Sequence, residues 1–363
     1  MSTIISIGTA VPSFANDQMI IHKYMESIYD GTADEKKRLK LLYQRSGIGT
    51  RYSVIPDFNL KNNQQQLFTT TKNNQNLPSI ENRLAIYEKN AAQLAIMAID
   101  DAMKNTTCSL KEITHLITVT CTGMSAPGLD LEIVELLDLP HNIERTSINF
   151  MGCYAAVHAL KQADAICNSR KNARVLIVCI ELCTLHFQQA NDHDNLTANA
   201  IFADGAAACI VQSEDEEKKD SLKIKSFYSE IHTKGKQDMA WQISSTGFLM
   251  TLSSYIPQLI KTNIDNLIKN AIQKFGIQYN EIHHWAIHPG GRKILDVIGS
   301  QLNIERSKLQ HSYSVLNEYG NMSSPTILFV MQRILNDDTM HGNILGAAFG
   351  PGLTMETFLV NKN

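Results

Sequence analysis

The stretch Ser147-Ile-Asn-Phe-Met-Gly-Cys153-Tyr-Ala-Ala-Val-His-Ala-Leu160 decides the fold of this chain. It predicts a short apolar strand, a turn at Gly152 and an alanine-rich helix, with Cys153 where that helix begins. Unpaired backbone N–H groups and the dipole at a helix N-terminus favour negative charge. Such a position lowers the pKa of a thiol, and the thiolate is the nucleophilic form of cysteine. A small, buried, apolar cysteine is the alternative interpretation.

The composition is that of an ordinary globular protein and argues against several classes. The chain has 363 residues, of which 44% are hydrophobic and 19% charged, with a net charge of −3 at pH 7. A nucleic-acid partner is not predicted, because such proteins usually present a basic face. No apolar run reaches the roughly 18 residues of a membrane span. The first eight residues lack the basic flank of a signal peptide and are predicted to form the first strand of a sheet.

The cysteines predict a reducing compartment. No Cys-x-x-Cys pair is present, so neither a zinc site nor thioredoxin-type redox chemistry is indicated. Free thiols in a chain of this size are typical of the cytoplasm, which is the predicted location. The predicted core cysteines are Cys108, Cys167, Cys179 and Cys209, and the others are Cys121, Cys153 and Cys183.

The second half of the chain repeats the organisation of the first. In the first half a helix leads to the segment Glu112–Ile117, which ends at Cys121; in the second a helix leads to Glu281–Ala286, which ends at His288. The offset between the two segments is 281 − 112 = 169 residues. Adding it to the position of Cys153 gives 322, which lies in another glycine turn that opens a helix.

We interpret this repetition as an internal duplication. The predicted halves are residues 1–212 and 221–363, joined by the charged linker at 213–220. Chance similarity between short apolar segments is the alternative. A duplicated αβ unit brings equivalent strand ends to the same side of a molecule, and here those ends carry Cys121, Cys153, His288 and Asn321.

These residue types suit acyl transfer. A cysteine beside a histidine is a nucleophile with its base. A histidine and an asparagine amide together can donate two hydrogen bonds to one developing oxyanion. The trio of Cys153, His288 and Asn321 therefore suits acyl transfer to sulfur, followed by carbon–carbon bond formation through a thioester enolate.

Four segments, in order and with fitting spacing, carry a family resemblance. They are Met151-Gly-Cys-Tyr-Ala155, Ile287-His-Pro-Gly-Gly291, Glu318-Tyr-Gly-Asn-Met-Ser-Ser324 and Phe349-Gly-Pro-Gly-Leu-Thr-Met-Glu-Thr357. The chain resembles the type III polyketide synthases, the chalcone and stilbene synthase family, from about Ile4 to Val360. The resemblance implies an α/β, thiolase-like αβαβα five-layer fold with internal pseudo-duplication, in a homodimer.

The resemblance also implies the reaction and its substrates. Cys153 would accept the acyl group from an acyl-CoA starter. His288 would pair with the thiolate and then, with Asn321, hold the thioester oxygen while malonyl-CoA loses CO₂. The resulting enolate attacks the acyl group, and the lengthened chain is reloaded for another round. No metal or redox cofactor is implied, because decarboxylation supplies the carbanion.

The implied cavity departs from the plant enzymes. Phe202 matches the aromatic gate of the family, whereas the second gate phenylalanine is replaced by Met250. Trp241 stands where chalcone synthases have glycine, and Ala126 where plant enzymes place a methionine that reaches into the neighbouring subunit. The segment around residue 183 is closer to bacterial members. The remaining predicted cavity residues are Cys121, Cys183, His186 and Ser323.

Contacts with coenzyme A are implied at three positions near the tunnel mouth. The basic residues of the family fall on Arg38, Leu41 and Arg45, so that one basic residue is lost. An ordinary solvated charge is the alternative for Arg38, and Arg45 is the stronger candidate.

The sequence thus predicts a malonyl-CoA-dependent acyltransferase that makes a pyrone, resorcinol or related aromatic polyketide. A fatty or short acyl starter is the expectation, and a malonyl-primed, tetrahydroxynaphthalene-type synthase is the main competitor. A ketoacyl synthase that initiates fatty-acid synthesis shares the fold and the trio, and would require malonyl carried on a protein. A non-catalytic thiolase-fold subunit is a third possibility, disfavoured because all three residues are intact.

Overall fold

The architecture follows from strands that are apolar along nearly their whole length and therefore need cover on both faces. The computed structural model describes residues 2–60, 67–68, 77–190, 192–213 and 221–362. The described strands are β1 (Ser2–Ala10), β2 (Phe14–Asp17), β3 (Thr50–Ser53), β4 (His115–Thr120), β5 (Glu144–Asn149), β6 (Arg174–Leu182), β7 (Asp204–Ser213), β8 (Leu222–Ile231), β9 (Met239–Ser244), β10 (Gly247–Leu252), β11 (His284–Ile287), β12 (Gly342–Gly350) and β13 (Thr354–Lys362).

The described helices cover these strands. They are α1 (Gln18–Ile28), α2 (Ala33–Arg45), α3 (Ile80–Lys104), α4 (Leu129–Leu136), α5 (Ala155–Ser169), α6 (His193–Ile201), α7 (Ile256–Phe275), α8 (Arg292–Gln301), α9 (Gln310–Tyr319) and α10 (Thr326–Leu335). In this part of the chain no helix is both long and apolar enough to span a bilayer.

One large sheet repeats its topology in the two halves. Its strand order is β11-β12-β13-β8-β1-β7-β6-β4-β5. β4 runs parallel to β6, which is antiparallel to β7; likewise β11 runs parallel to β12, which is antiparallel to β13. β1 and β8 pair antiparallel at Thr3–Lys223 and Ile4–Leu222 and join the halves. The predicted boundary stays a prediction, since 214–220 lie outside the described residues.

The two halves of the sheet and the helices that cover them form five layers, which pack around three hydrophobic cores. α3 packs on the outer face of the first-half strands, and α7 and α8 pack on the outer face of the second-half strands. α5 and α10 lie between, in a core shared with strands from both halves. This arrangement confirms the predicted αβαβα fold, and it brings the turns that precede α5 and α10 to one region of the molecule.

The strand before Cys153 differs from its prediction. β5 lies at the edge of the sheet, and its side chains are partly or fully exposed rather than packed in an apolar core. It pairs in parallel with β4 alone, from His115–Glu144 to Thr120–Asn149. The sequence around Ile148 has the composition of a strand, but composition does not reveal whether a strand is central or at an edge.

Candidate active site

Cys153 lies in a tight turn between β5 and α5. Gly152 has a φ of 83°, and a Cβ on it would lie 2.3 Å from the Cδ atom of Pro351. Only glycine fits this position, because both the positive φ and the close approach exclude a side chain. Cys153 follows directly, is 7% exposed, and stands two residues before the first residue of α5. The predicted glycine turn and helix start are therefore both present.

Asn321 and Ser323 lie against the Cys153 thiol. Hydrogen bonding from both side chains lowers the pKa of the thiol, although burial raises it by more. The Ser323 backbone N–H donates to Oδ1 of Asn321 over 2.8 Å, and Nδ2 of Asn321 donates to the carbonyl oxygen of Gly290 over 3.2 Å. These two bonds fix which end of the amide is the donor. The asparagine therefore presents N–H groups, as an oxyanion-binding residue must.

His288, the third residue of the predicted trio, directly follows the end of β11. Its backbone N–H donates to the carbonyl oxygen of Ala347 over 2.8 Å, which extends the parallel ladder beyond the strand. The side chain is 1% exposed, and neither ring nitrogen has a hydrogen-bond partner among the described residues. Gly290, whose carbonyl oxygen binds Asn321, is two residues away. A buried imidazole without partners is costly unless a ligand uses it.

Burial dominates the pKa values of both groups. It raises the pKa of the Cys153 thiol to about 11, and the carboxyl group of Glu181 raises it further, against the hydrogen bonds from Ser323 and Asn321. Burial also lowers the pKa of His288 to about 3. The helix start predicts a lowered pKa for this thiol. That prediction is wrong for a thiol that ionises alone, because the loss of water around the charge outweighs the helix dipole.

Glu181 is a buried acid near this site that the sequence analysis missed. Its Oε2 accepts from the Cys121 backbone N–H over 2.9 Å and from the Thr122 hydroxyl over 2.8 Å, while Oε1 accepts from the Ser324 hydroxyl over 2.8 Å. Burial raises its pKa to about 7. A single carboxylate in a strand that is otherwise apolar from Val175 onward was the available signal, since a buried acid requires several donors.

Five of the predicted cavity residues come together. Phe202, Met250, Trp241, Cys183 and His186 line one narrow cavity of about 580 Å³, counted with the part that opens to solvent. Cys121 and Ser323 do not line it within the described residues. The sulfur of Cys121 instead accepts from the Gly152 backbone N–H over 3.1 Å, under the turn that carries Cys153. It supports the turn.

An aromatic wall closes one side of the cavity. The His186 ring stacks on Phe248 with centroids 4.2 Å apart and rings 7° from parallel, and Trp241 stands edge-on to both. The indole N–H of Trp241 donates to the carbonyl oxygen of Cys121 over 2.7 Å. Nε2 of His186 lies 2.7 Å from the carbonyl oxygen of Thr122, and Nδ1 accepts from the Phe248 N–H.

These bonds hold the wall in one arrangement. Burial lowers the pKa of His186 to about 3, so the ring is neutral at physiological pH. A neutral ring that accepts at Nδ1 must carry its proton at Nε2, which agrees with the bond to Thr122. Phe248 is not among the cavity residues predicted from the sequence.

The predicted coenzyme A residues lie on the exposed face of α2. Arg38 and Arg45 are both exposed, and neither has an ion-pair partner in the part of the chain that the structure describes. The aliphatic part of Arg292 passes Gly47, where a Cβ would lie 3.0 Å from its Cδ. Arg292, at the start of α8 and four residues from His288, therefore lies next to the segment that follows Arg45, and its Nε is 3.6 Å from the carboxylate of Asp296.

The five-layer fold, with a cysteine, a histidine and an asparagine in the segments that follow its strands, is typical of acyl-transferring enzymes of the thiolase-like class. Family models described as chalcone and stilbene synthases match residues 1–215 (N-terminal domain) and 223–362 (C-terminal domain). The chain therefore belongs to the chalcone and stilbene synthase family, the type III polyketide synthases.

Three relatives illustrate the match. Type III polyketide synthase C of Arabidopsis thaliana is 29% identical over 379 residues, which cover 99% of this chain and 95% of that protein. Probable polyketide synthase 1 of Dictyostelium discoideum is 28% identical over 367 residues, but the chain spans only 11% of its length. The crystal structure of PKS-I from the brown alga Ectocarpus siliculosus superposes with a TM-score of 0.93 at 26% identity, covering 100% and 98% of the two chains.

Membership fixes the general chemistry. The family transfers acyl groups, condenses malonyl-CoA, uses coenzyme A thioesters as substrates and needs no further cofactor. Among the described residues, no group of three or more His, Cys, Asp or Glu side chains could hold a metal ion.

Proposed function

We propose that this enzyme loads an acyl group from an acyl-CoA onto Cys153, extends it with malonyl-CoA and cyclises the product to a pyrone, resorcinol or related aromatic polyketide. The observation that carries the proposal is the placement of Ser323 and Asn321 near the Cys153 thiol, with Asn321 bonded to the carbonyl oxygen of Gly290, two residues from His288. Neither ring nitrogen of His288 has a hydrogen-bond partner among the described residues. A nucleophile, a base and an oriented donor are the parts that acyl transfer requires.

In this mechanism His288 first takes the thiol proton, and the sulfur attacks the carbonyl carbon of the acyl-CoA. The C–S bond to coenzyme A breaks, and the leaving thiolate takes the proton back from the imidazolium. His288 and Asn321 then donate hydrogen bonds to the thioester oxygen of malonyl-CoA. As CO₂ leaves, the electrons of the broken C–C bond pass into the enolate that these donors stabilise.

Chain extension completes the cycle. The enolate carbon attacks the acyl carbonyl on Cys153, and the C–S bond to the enzyme breaks to release the thiolate. The extended acyl-CoA can reload Cys153 for the next round. Because the bonds from Ser323 and to Gly290 fix the Asn321 amide, its N–H donors are oriented before substrate arrives, which limits reorganisation during the reaction.

The cavity supports a fatty or short acyl starter. Trp241 and His186 are held by hydrogen bonds to main-chain atoms of Cys121 and Thr122 and block one direction. Met250 lies directly across the β9–β10 hairpin from Trp241 and also lines the cavity, and a thioether adapts to an alkyl chain more readily than a phenyl ring. The narrow cavity that these residues line suits a linear chain better than a bulky aromatic starter.

We expect the enzyme to turn over alkyl acyl-CoA starters faster than p-coumaroyl-CoA by about tenfold or more, since one or two misfitting groups in an apolar pocket cost about 1–3 kcal/mol. A starter panel with isotope-labelled malonyl-CoA and mass spectrometry of the products measures this.

Trp241→Ala should open the blocked direction and lengthen the product by at least one malonyl unit. Ile243→Ala, on the same hairpin and 61% exposed, is the matched control.

Three results would contradict these assignments. Equal turnover without an added starter would favour malonyl priming. A strict requirement for malonyl carried on a protein would favour the initiating ketoacyl synthase. An unchanged product from Trp241→Ala would remove Trp241 from the cavity boundary.

We also propose that the enzyme is a homodimer whose interface includes the β5 edge. Large apolar side chains are exposed on α3, on α4, which packs against β5, and in the loop after β4: Met97 (48%), Leu136 (61%) and Met124 (49%). Ala126 is exposed in the same loop. A strand edge with exposed apolar side chains on neighbouring elements favours pairing with another chain, and a twofold axis allows the same surface to serve both copies.

Sedimentation velocity should therefore give twice the 40.5 kDa mass of one chain. Leu136→Arg should weaken the dimer by about tenfold or more, because it places a charge in an apolar interface. Ile231→Arg, 67% exposed on β8, should leave the mass unchanged. A monomeric wild type, or a dimer that tolerates Leu136→Arg, would contradict this surface.

A further inference from the structure

Arg51 and Gln18 are buried polar residues that the proposed mechanism does not use. Arg51 lies on β3 and is 5% exposed, and Gln18 is the first residue of α1 and 2% exposed. Nε of Arg51 donates to Oε1 of Gln18 over 2.9 Å. Buried polar side chains at this depth are retained where they satisfy other buried groups.

What the two residues satisfy is the C-terminal end of α6. The last carbonyl groups of a helix have no partner within it. Here Nη1 of Arg51 donates to the carbonyl oxygen of Asn199 over 2.8 Å and to that of Phe202 over 2.7 Å. Nε2 of Gln18 donates to the carbonyl oxygen of Ala200 over 2.7 Å. A guanidinium at this end also complements the negative pole of the helix dipole.

Asn321 binds a further carbonyl oxygen at this helix end, that of Ile201. The backbone N–H of Asn321 donates to the carbonyl oxygen of Ile201 over 2.9 Å, and the Ala203 N–H donates to the carbonyl oxygen of Asn321 over 2.9 Å. Phe202 and Asn321 thus form a parallel bridge. The segment that Arg51 and Gln18 hold is the segment to which Asn321 is bonded.

Gly320 shows how closely the parts fit. Its φ is 72°, and a Cβ on it would lie 2.9 Å from Cγ of Arg51 and 3.0 Å from the carbonyl oxygen of Ile201. The stem of Arg51 therefore passes directly against the residue before Asn321. A change of the side chain at position 51 would therefore displace Asn321, through this contact and through the bridge to Phe202.

We propose that Arg51 and Gln18 act as positioning residues that fix the gate residue Phe202 and the oxyanion-binding residue Asn321 relative to each other. This inference rests on the proposed function and adds to it. This clamp holds the backbone of Phe202 and the Asn321 amide in one arrangement when substrate enters. A displacement of about 1 Å in such a donor lowers the rate by about 100-fold.

Malonyl-CoA decarboxylation without a starter tests the clamp, with kcat, KM and thermal midpoint measured for each variant. Arg51→Lys keeps the charge but loses the planar fork that serves Gln18 and Phe202 together. Gln18→Met keeps the volume and is the milder variant, should Arg51→Lys fold poorly. We expect kcat to fall by about tenfold or more in both variants, with KM within about threefold and iodoacetamide alkylation of Cys153 within about twofold.

Lys362→Met is the matched control. Lys362 is also a buried cation, 1% exposed, whose Nζ donates to the carbonyl oxygens of Ile334 and Asp337 at the C-terminal end of α10, over 3.1 and 2.8 Å. It should lower the thermal midpoint without lowering kcat. A kcat within twofold of wild type in Gln18→Met, or equal losses in the control, would overturn the clamp. Absence of decarboxylation in the wild type would instead overturn the proposed function, and the clamp with it.

Discussion

Replacement of Cys153 by alanine should abolish polyketide formation, with a loss in kcat/KM for condensation of about 10⁴-fold or more. The thiol is the only group of the trio that can carry an acyl chain, so no other residue can replace it. Decarboxylation of malonyl-CoA should survive, because its oxyanion donors, His288 and Asn321, remain. Labelled malonyl-CoA, with mass spectrometry for polyketide and for acetyl-CoA, separates the two reactions.

Cys209→Ala is the control for loss of a buried thiol. Cys209 lies in β7, is fully buried, and contributes only to the central core. It should keep condensation within about twofold of wild type at temperatures below its thermal midpoint. If Cys153→Ala left both reactions unchanged, the assignment of the nucleophile would be wrong. If both reactions were lost in a folded variant, the thiol would have a role in decarboxylation that the geometry does not assign.

The features that sequence predicted best are those determined by neighbours in the chain. The glycine turn before Cys153, the repeated strand-and-helix units and the end of β11 at His288 all depend on local pattern. Their meeting at one site follows from the duplication, because equivalent strand ends meet on one side. The family resemblance then supplied roles that no local pattern contains.

What the sequence could not reveal depends on contacts between distant residues. Arg51 binds a carbonyl group 151 residues away, and Glu181 binds a hydroxyl group 143 residues away. Neither pairing leaves a periodicity to detect. The direction of the thiol pKa was wrong for the same reason, since burial of Cys153 is a tertiary property that outweighs the local helix start.

Removal of the His288 imidazole should change the pH dependence of Cys153 more than any other single substitution. Burial penalises a thiolate that forms alone, and this raises the pKa of Cys153 to about 11. An imidazolium beside it makes the pair neutral overall, so the sulfur loses its proton at a lower pH than it would alone. A free thiol has a pKa of about 8.5. We expect wild-type Cys153 to react with iodoacetamide well below that pH.

The sign of the effect follows from which form reacts. Only the thiolate is alkylated, so the rate rises with pH through the pKa and levels off above it. In His288→Ala the thiol must ionise alone, and its profile should move upward toward the value set by burial. With a pKa near 11, about 10⁻⁴ of the thiol is ionised at pH 7. At that pH, alkylation of His288→Ala should therefore be slower by about 10³-fold or more than alkylation of a thiol that is largely ionised.

His284→Ala is the matched control, because His284 lies on the same strand and its Nε2 is within 3.1 Å of the carbonyl oxygen of His341 rather than at the site. Its alkylation profile should coincide with that of wild type. Intact-mass measurement of the rate from pH 5 to 10 gives all three curves. Coincident profiles for wild type and His288→Ala would show that the imidazole does not activate the thiol, and the base in the loading step would then have to be another group.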